Sequence, residues 1–144
     1  GDVAIRAPAP VLAVRPQATG VDVAGPALIA WDGSQEAATA LRAALPLLAL
    51  AATVTILTVA EKDSPFTARA AAAFLSRHGV AAEVEERDAG GASVEQVIRS
   101  VAAQRQAAWI VQGAYGHSRM RQLLFGGVTR GLLADAPVPI LIAH

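Results

Sequence analysis

The 144-residue chain has no cysteine and a single lysine, Lys62, and its 12 basic and 12 acidic residues cancel to a net charge of zero. Each shortage removes a class of function. Without cysteine there is no disulfide framework, no thiol nucleophile and no thiolate-held zinc or iron–sulfur centre. A P-loop lysine or a Schiff-base lysine would have to be Lys62, which lies in no glycine-rich loop. The cancelled charge supplies no basic field for nucleic acid. The chain has no initiating Met, so Gly1 is read as a tag remnant or an internal start. What is present is 53% hydrophobic and 17% charged, the composition of one compact cytoplasmic domain with a core of useful size.

Residues Ala43 to Ala60 carry no charge, and these eighteen positions are about the shortest run that can span a bilayer. Pro46 interrupts them, Leu41, Leu45 and Leu48 keep helical spacing, and Thr53 and Thr55 alternate with Val54 and Ile56 as in a strand. The run therefore reads as a buried helix leading into a buried strand, and no membrane span is expected.

Ala27–Trp31 is a short apolar run behind Pro26, fit for a buried strand. Asp32-Gly33-Ser34 ends it, and Ser34 caps a helix to about Leu50. A second strand covers 53–59. Ser64-Pro65 predicts the start of a second helix, which Gly79 closes. A third strand, 80–87, carries Glu83, Glu85 and Glu86, read as surface charge near a sheet edge. Ser93 and Gln96 form a capping box for a helix to about Arg105. A fourth strand spans 108–112, helical pieces are expected at 119–125 and 128–134, and a fifth strand at 139–143. Alternating strands and helices give a doubly wound α/β domain with a parallel sheet. Ligands bind such domains at the carboxyl ends of the strands, where strand order reverses. That places the loops after the first and fourth strands across one crevice.

The second of these loops has a glycine pattern: Gly113-Ala114-Tyr115-Gly116, then His117 to Phe125, then Gly126-Gly127. Gly113 and Gly116 let backbone approach an anionic or sugar group. Gly126 and Gly127 open a helix whose amides at Val128 and Thr129 suit a phosphate. Asp32 ends the opposing strand, and it also fits a plain turn and capping role in Asp-Gly-Ser.

With Ala30-Trp31-Asp32-Gly33-Ser34, the glycines from Gly113 to Gly127 and the ending Ala136-Pro137-Val138-Pro139-Ile140-Leu141-Ile142, residues 26–144 resemble the universal stress protein family. The resemblance implies an adenine nucleotide alpha hydrolase-like fold with strand order 3-2-1-4-5, a stress-response regulatory role and frequent homodimers. In one subgroup it implies ATP or another adenine nucleotide, with magnesium only alongside the nucleotide. Asp32, Gly33 and backbone near Val59 would then serve the adenine end, Gly113 and Gly116 the ribose and phosphate, and Gly126, Gly127 and Val128 the phosphates. The chain departs from that subgroup at Gly127, where Ser or Thr is usual, and at His117, where Arg is frequent. A lost hydroxyl bond to a charged phosphate costs about 1.5 to 3 kcal/mol, for which His117 or Thr129 could substitute. The other reading is a nucleotide-free dimerisation module.

Other chemistry is poorly supplied. His117, Ser118 and Asp32 form no nucleophile-elbow pattern. His78 fits a helix end, His144 is the last residue, and no paired histidines offer a metal site. Arg119, Arg121 and Arg130 read as solvated helix charges near the phosphate site. No second acid, metal cluster or lysine is placed for phosphoryl transfer.

Finally, residues 7–14 (APAPVLAV) repeat residues 136–143 (APVPILIA) at a constant offset of 129 positions, Ala7 standing to Ala136 as Val14 does to Ala143. Residues 1–25 are accordingly expected to be the last strand of a preceding repeat plus a linker, and 26–144 the C-terminal domain of a tandem protein. The expected partner surface is the edge strand 139–143, with residues 10–14 added to it within the chain or across a two-fold dimer.

Overall fold

The computed structural model describes residues 11–13, 20–59, 66–113 and 138–143. Within them run β1 (Val11–Ala13), β2 (Ala27–Ala30), α1 (Gln35–Leu48), β3 (Val54–Val59), α2 (Ala68–Arg77), β4 (Glu83–Arg87), α3 (Val94–Gln104), β5 (Trp109–Gly113) and β6 (Ile140–Ala143). The six strands form one sheet in the order β1-β6-β5-β2-β3-β4. The five from β2 to β6 are parallel, and their order is 3-2-1-4-5 when counted along the chain. β1 alone runs antiparallel, on the outer side of β6, where Leu12 faces Leu141. Of the two pairings expected for residues 10–14, this is the one within the chain.

Alternation along the strands splits the core between the two sheet faces. Ala27, Ile29, Trp31, Val54, Ile56, Trp109, Val111 and Leu141 pack under α1 and α2. Leu28, Leu57, Ile110, Ile140 and Ile142 pack against Ile98, Val101 and Ala102 of α3. The uncharged run thus becomes α1 followed by β3. Pro46 is accommodated inside the helix, and among the described residues no helix is long and apolar enough to cross a membrane.

Helix ends follow their capping residues, with one correction. Ser34 Oγ accepts from Ala37 N at 3.0 Å, and Ser93 and Gln96 close the capping box at 3.1 and 3.0 Å. α2 starts later than Ser64-Pro65 predicts. Its N-cap is Thr67, whose hydroxyl accepts from Ala70 N at 3.1 Å; Ser64 and Pro65 lie outside the described residues. At its other end His78 Nδ1 donates to the Phe74 carbonyl at 2.9 Å. The expected strand over 80–87 pairs only from Glu83, because Val80 turns into the core instead.

β4 is a sheet edge, as its glutamates imply, yet Glu85 is more than surface charge. Glu83, Glu85 and Arg87 alternate onto one face, where Arg105, just past α3, gathers the two glutamates. Its guanidinium donates to Glu85 at 2.7 Å, Glu83 at 2.9 Å and Thr55 at 2.9 Å. Arg87 adds a bond to Glu85 and one of 2.8 Å to Gln104. Burial alone would raise the Glu85 carboxyl, but bonds from Arg105 and Arg87 outweigh it and hold it below its ordinary 4.5. A depressed folded-state value stabilises above the unfolded one and is lost as pH falls through the folded value. Thermal unfolding of the native chain should therefore show stability falling below about pH 4.5. Glu85→Gln should be less stable near neutrality and show a shallower acid decline. Parallel profiles for the two proteins would refute this role.

Candidate functional site

β2 is the central strand. On one side it pairs with β3, and the chain then winds outward to β4; on the other it pairs with β5, which carries β6. Strand order reverses between β2 and β5, whose last register pair is Ala30 with Gln112. Beyond that pair β2 gives way to Asp32-Gly33-Ser34 and β5 ends at Gly113, so the two strand ends stand side by side. This is the crevice that a doubly wound sheet offers a ligand.

On the β2 side, Trp31 extends the ladder by donating its backbone N–H to Leu57 O at 2.8 Å. Asp32 is exposed, and its Oδ1 accepts from Ser34 N at 2.9 Å. The carboxylate thus fixes the turn into α1, with Gly33 at φ 77°, a conformation that a side chain would strain. Ser34 then caps the helix. One acidic side chain is thereby held at the crevice mouth on rigid backbone, with Glu36 half-buried in the first helical turn.

On the β5 side, the missing side chain of Gly113 is used within the fold. A Cβ there would lie 2.7 Å from Ala37 N and 2.7 Å from the Glu36 carbonyl carbon. The first turn of α1 therefore rests directly on the end of β5. This contact sets how closely α1 approaches the end of β5.

Val59 ends β3 beside β2, half-buried on the α3 side. Asp32, Gly33, Val59 and Gly113 thus share the carboxyl end of three adjacent strands. Gly116, His117, Gly126, Gly127, Val128 and Thr129 lie outside the described residues, as do the helical pieces expected at 119–134 and the arginines they carry.

Features that the sequence reading did not assign a site role also stand at this end of the sheet. The indole Nε1 of Trp31, a residue taken only as core, donates to Phe66 O at 2.8 Å. This bond ties the segment after β3 to the end of β2. Thr58 and Gln112 are buried near the carboxyl ends of β3 and β5. A buried polar residue next to a strand end is the available sequence signal for them. Among the described residues, no three His, Asp or Glu side chains cluster in a way that could hold a metal ion. The described part of the arrangement can present backbone and one carboxylate to a polar ligand.

The universal stress protein family model matches residues 25–144. The chain belongs to the universal stress protein family. Its fold is shared with a universal stress protein from Archaeoglobus fulgidus at TM-score 0.73 and 19% identity, a match covering 93% of this chain and 49% of that one. The chain thus spans about half the length of that protein. A universal stress family protein from Burkholderia pseudomallei is 25% identical at TM-score 0.59, with 85% of this chain and 98% of that chain covered. A universal stress protein in complex with cAMP is 21% identical at TM-score 0.57, with 83% and 97% covered. No curated relative matches the sequence.

The Gly113 contact yields a direct prediction. Gly113→Ala should lose about 1 to 3 kcal/mol, the usual cost of overpacking, measured by urea unfolding. The clash is with backbone, so no side-chain rotation can relieve it. Unchanged or raised stability would show that α1 does not rest on β5.

Proposed function

We propose that this universal stress protein domain binds an adenine nucleotide at the carboxyl ends of β2 and β5 and acts as a regulatory module. The observation that carries the reading is the parallel pairing of β2 with β5 at the reversal of strand order. It sets an exposed carboxylate, Asp32, beside the start of a glycine-rich loop. The cAMP complex of a structural neighbour supports an adenine ligand. Asp32 keeps one oxygen on Ser34 N, and in this reading its carboxylate also accepts from the adenine or ribose end. Val59 and Gly33 border the base, and Gly113 leads into the loop over the sugar. Gly116, Gly126, Gly127, Val128 and Thr129, with His117, would face the phosphates through backbone amides, a hydroxyl and an imidazole. Magnesium would enter only with the phosphates. Gly127 brings no hydroxyl, so the triphosphate is held less firmly than a Ser or Thr at this position would hold it.

A second reading, a structural module without nucleotide, draws on two observations. Asp32 already serves the turn into α1, and the space at Gly113 already serves that helix. Calorimetric titration with ATP, ADP, AMP and cAMP, with and without magnesium, separates the readings. Asp32→Ala should weaken any bound adenine nucleotide by about tenfold or more, the scale of one bond to a charged group, with a smaller loss of stability. Gly127→Ser should tighten ATP. Absence of heat with all four nucleotides at millimolar concentration would favour the structural module. Unchanged binding in Asp32→Ala would remove that residue from the site.

A further inference from the structure

Alternation along the strands brings one polar side chain onto the face where the crevice opens. Leu57, Ala30, Gln112 and Ile142 stand in register across β3, β2, β5 and β6. Leu57 and Ile142 pack on the α3 side with Leu28 and Ile110, and Ala30 packs against them. Side chains two apart on a strand share a face, so Gln112 projects to that side as Ile110 does. Toward the carboxyl end the next positions are Val59, on the same side, and Asp32, two residues beyond Ala30. Gln112 is therefore the polar member of an otherwise apolar row, one step below two residues already placed at the adenine end. Exposure on this face begins at the same row. Leu28 and Ile110 are 0% exposed, whereas Gln112 keeps 6% and Ala30 is half-buried. Among the described residues the other buried polar side chains are Thr55 and Thr58. Thr55 accepts from Arg105, and Thr58, two residues past Ile56, faces the α1 and α2 side.

We propose that Gln112 reads the base of the bound nucleotide, its Oε1 accepting from the exocyclic amine of adenine and its Nε2 donating to the neighbouring ring nitrogen. This rests on the adenine-nucleotide reading of the crevice and assigns its base specificity to a side chain. A glutamine amide pairs with adenine in this two-bond manner. A carboxamide has two N–H donors and an oxygen with two lone pairs, so a bond made within the fold leaves capacity for a ligand. Ala30, with nothing beyond Cβ, leaves room between Gln112 and Val59 for a flat ring, which lies with its apolar face on the row and its polar edge toward the amide. A purine that lacks the amine leaves Oε1 facing no donor. A buried carboxamide in an apolar row is less favourable to the fold than a methionine or leucine of similar size would be. Gln112 is thus a specificity-determining residue that the fold itself does not require.

The test is calorimetric titration of the full chain with AMP and ATP and with their purine riboside counterparts, which differ from them only in lacking the amine. The native chain should bind the adenine member of a pair about 3- to 10-fold more tightly, the scale of one neutral hydrogen bond. In Gln112→Met the two members should bind alike, while urea unfolding shows stability equal to or above that of the native chain. Gln112→Leu, a second apolar replacement, should behave in the same way. A structural role for the amide would lower stability and leave the ratio within each pair unchanged. If the native chain binds AMP or ATP without preferring the amine, or if the preference survives in both variants, Gln112 does not read the base and this proposal alone falls. If the native chain binds neither nucleotide, the reading of the crevice falls and takes the proposal with it. Loss of folding in both variants would also overturn it, since the amide would then belong to the core, as would folded variants that bind no member of either pair.

Discussion

Everything in this fold is placed relative to Ala27–Ala30, because these four residues pair with a parallel neighbour on both sides. Parallel ladders demand that both flanks be covered. The strand therefore has to be apolar on both faces, as Ala27, Leu28 and Ile29 are in their near-complete burial. Once it is central, the rest is constrained. β3 and β5 can only lie beside it, helices must cross on either face, and the ends of β2 and β5 come out side by side. The candidate site is thus a consequence of sheet topology before it is a matter of any side chain.

Two small features convert that topology into a shaped crevice. Gly113 lets the backbone of α1 rest on β5, and the Asp32-to-Ser34 bond turns the chain sharply enough for the helix to start there. Trp31 works from the other flank, its indole holding the segment after β3 through Phe66. The crevice walls are fixed by backbone contacts made by residues of very different size. Far from it, Arg105 secures the β4 edge by joining α3 to two strands. The domain is thus stapled at its exposed flank, away from its carboxyl end.

Strand identity was legible in the sequence because the buried strands are short apolar runs bounded by turn residues, and because Ser34 and Ser93 each precede a well-formed helix; strand order came only with the family resemblance. The glycine motif and the closing Pro-Val-Pro-Ile-Leu-Ile were sufficient for the family. Three matters were not legible. Thr67 rather than Ser64 caps α2; both are good caps three positions apart, and it is the burial of Ala68, the first helical residue, that local sequence does not show. Glu85 looked like its neighbours until Arg105, twenty residues later, closed on it. Gly113 sits in a motif associated with ligands, and nothing in its local sequence shows that a helix 76 residues earlier takes the space.

The repeated Pro-rich strand segments make a further physical point. An edge strand presents unpaired backbone groups that will accept any chain of suitable register. β6 is apolar on both faces and carries no charge to deter such pairing. A charge on β6 would protect the edge only by burying that charge against one core or the other, since all four of its residues are buried. Covering the edge is the remaining solution, and β1 supplies it, antiparallel to β6 with Leu12 opposite Leu141. β6 also pairs with β5 along its other side, with Ala143 beside Gly113. The strand that carries β1 is therefore hydrogen-bonded to the strand that ends at Gly113, so the covered edge and the crevice are borne by adjacent strands of one sheet.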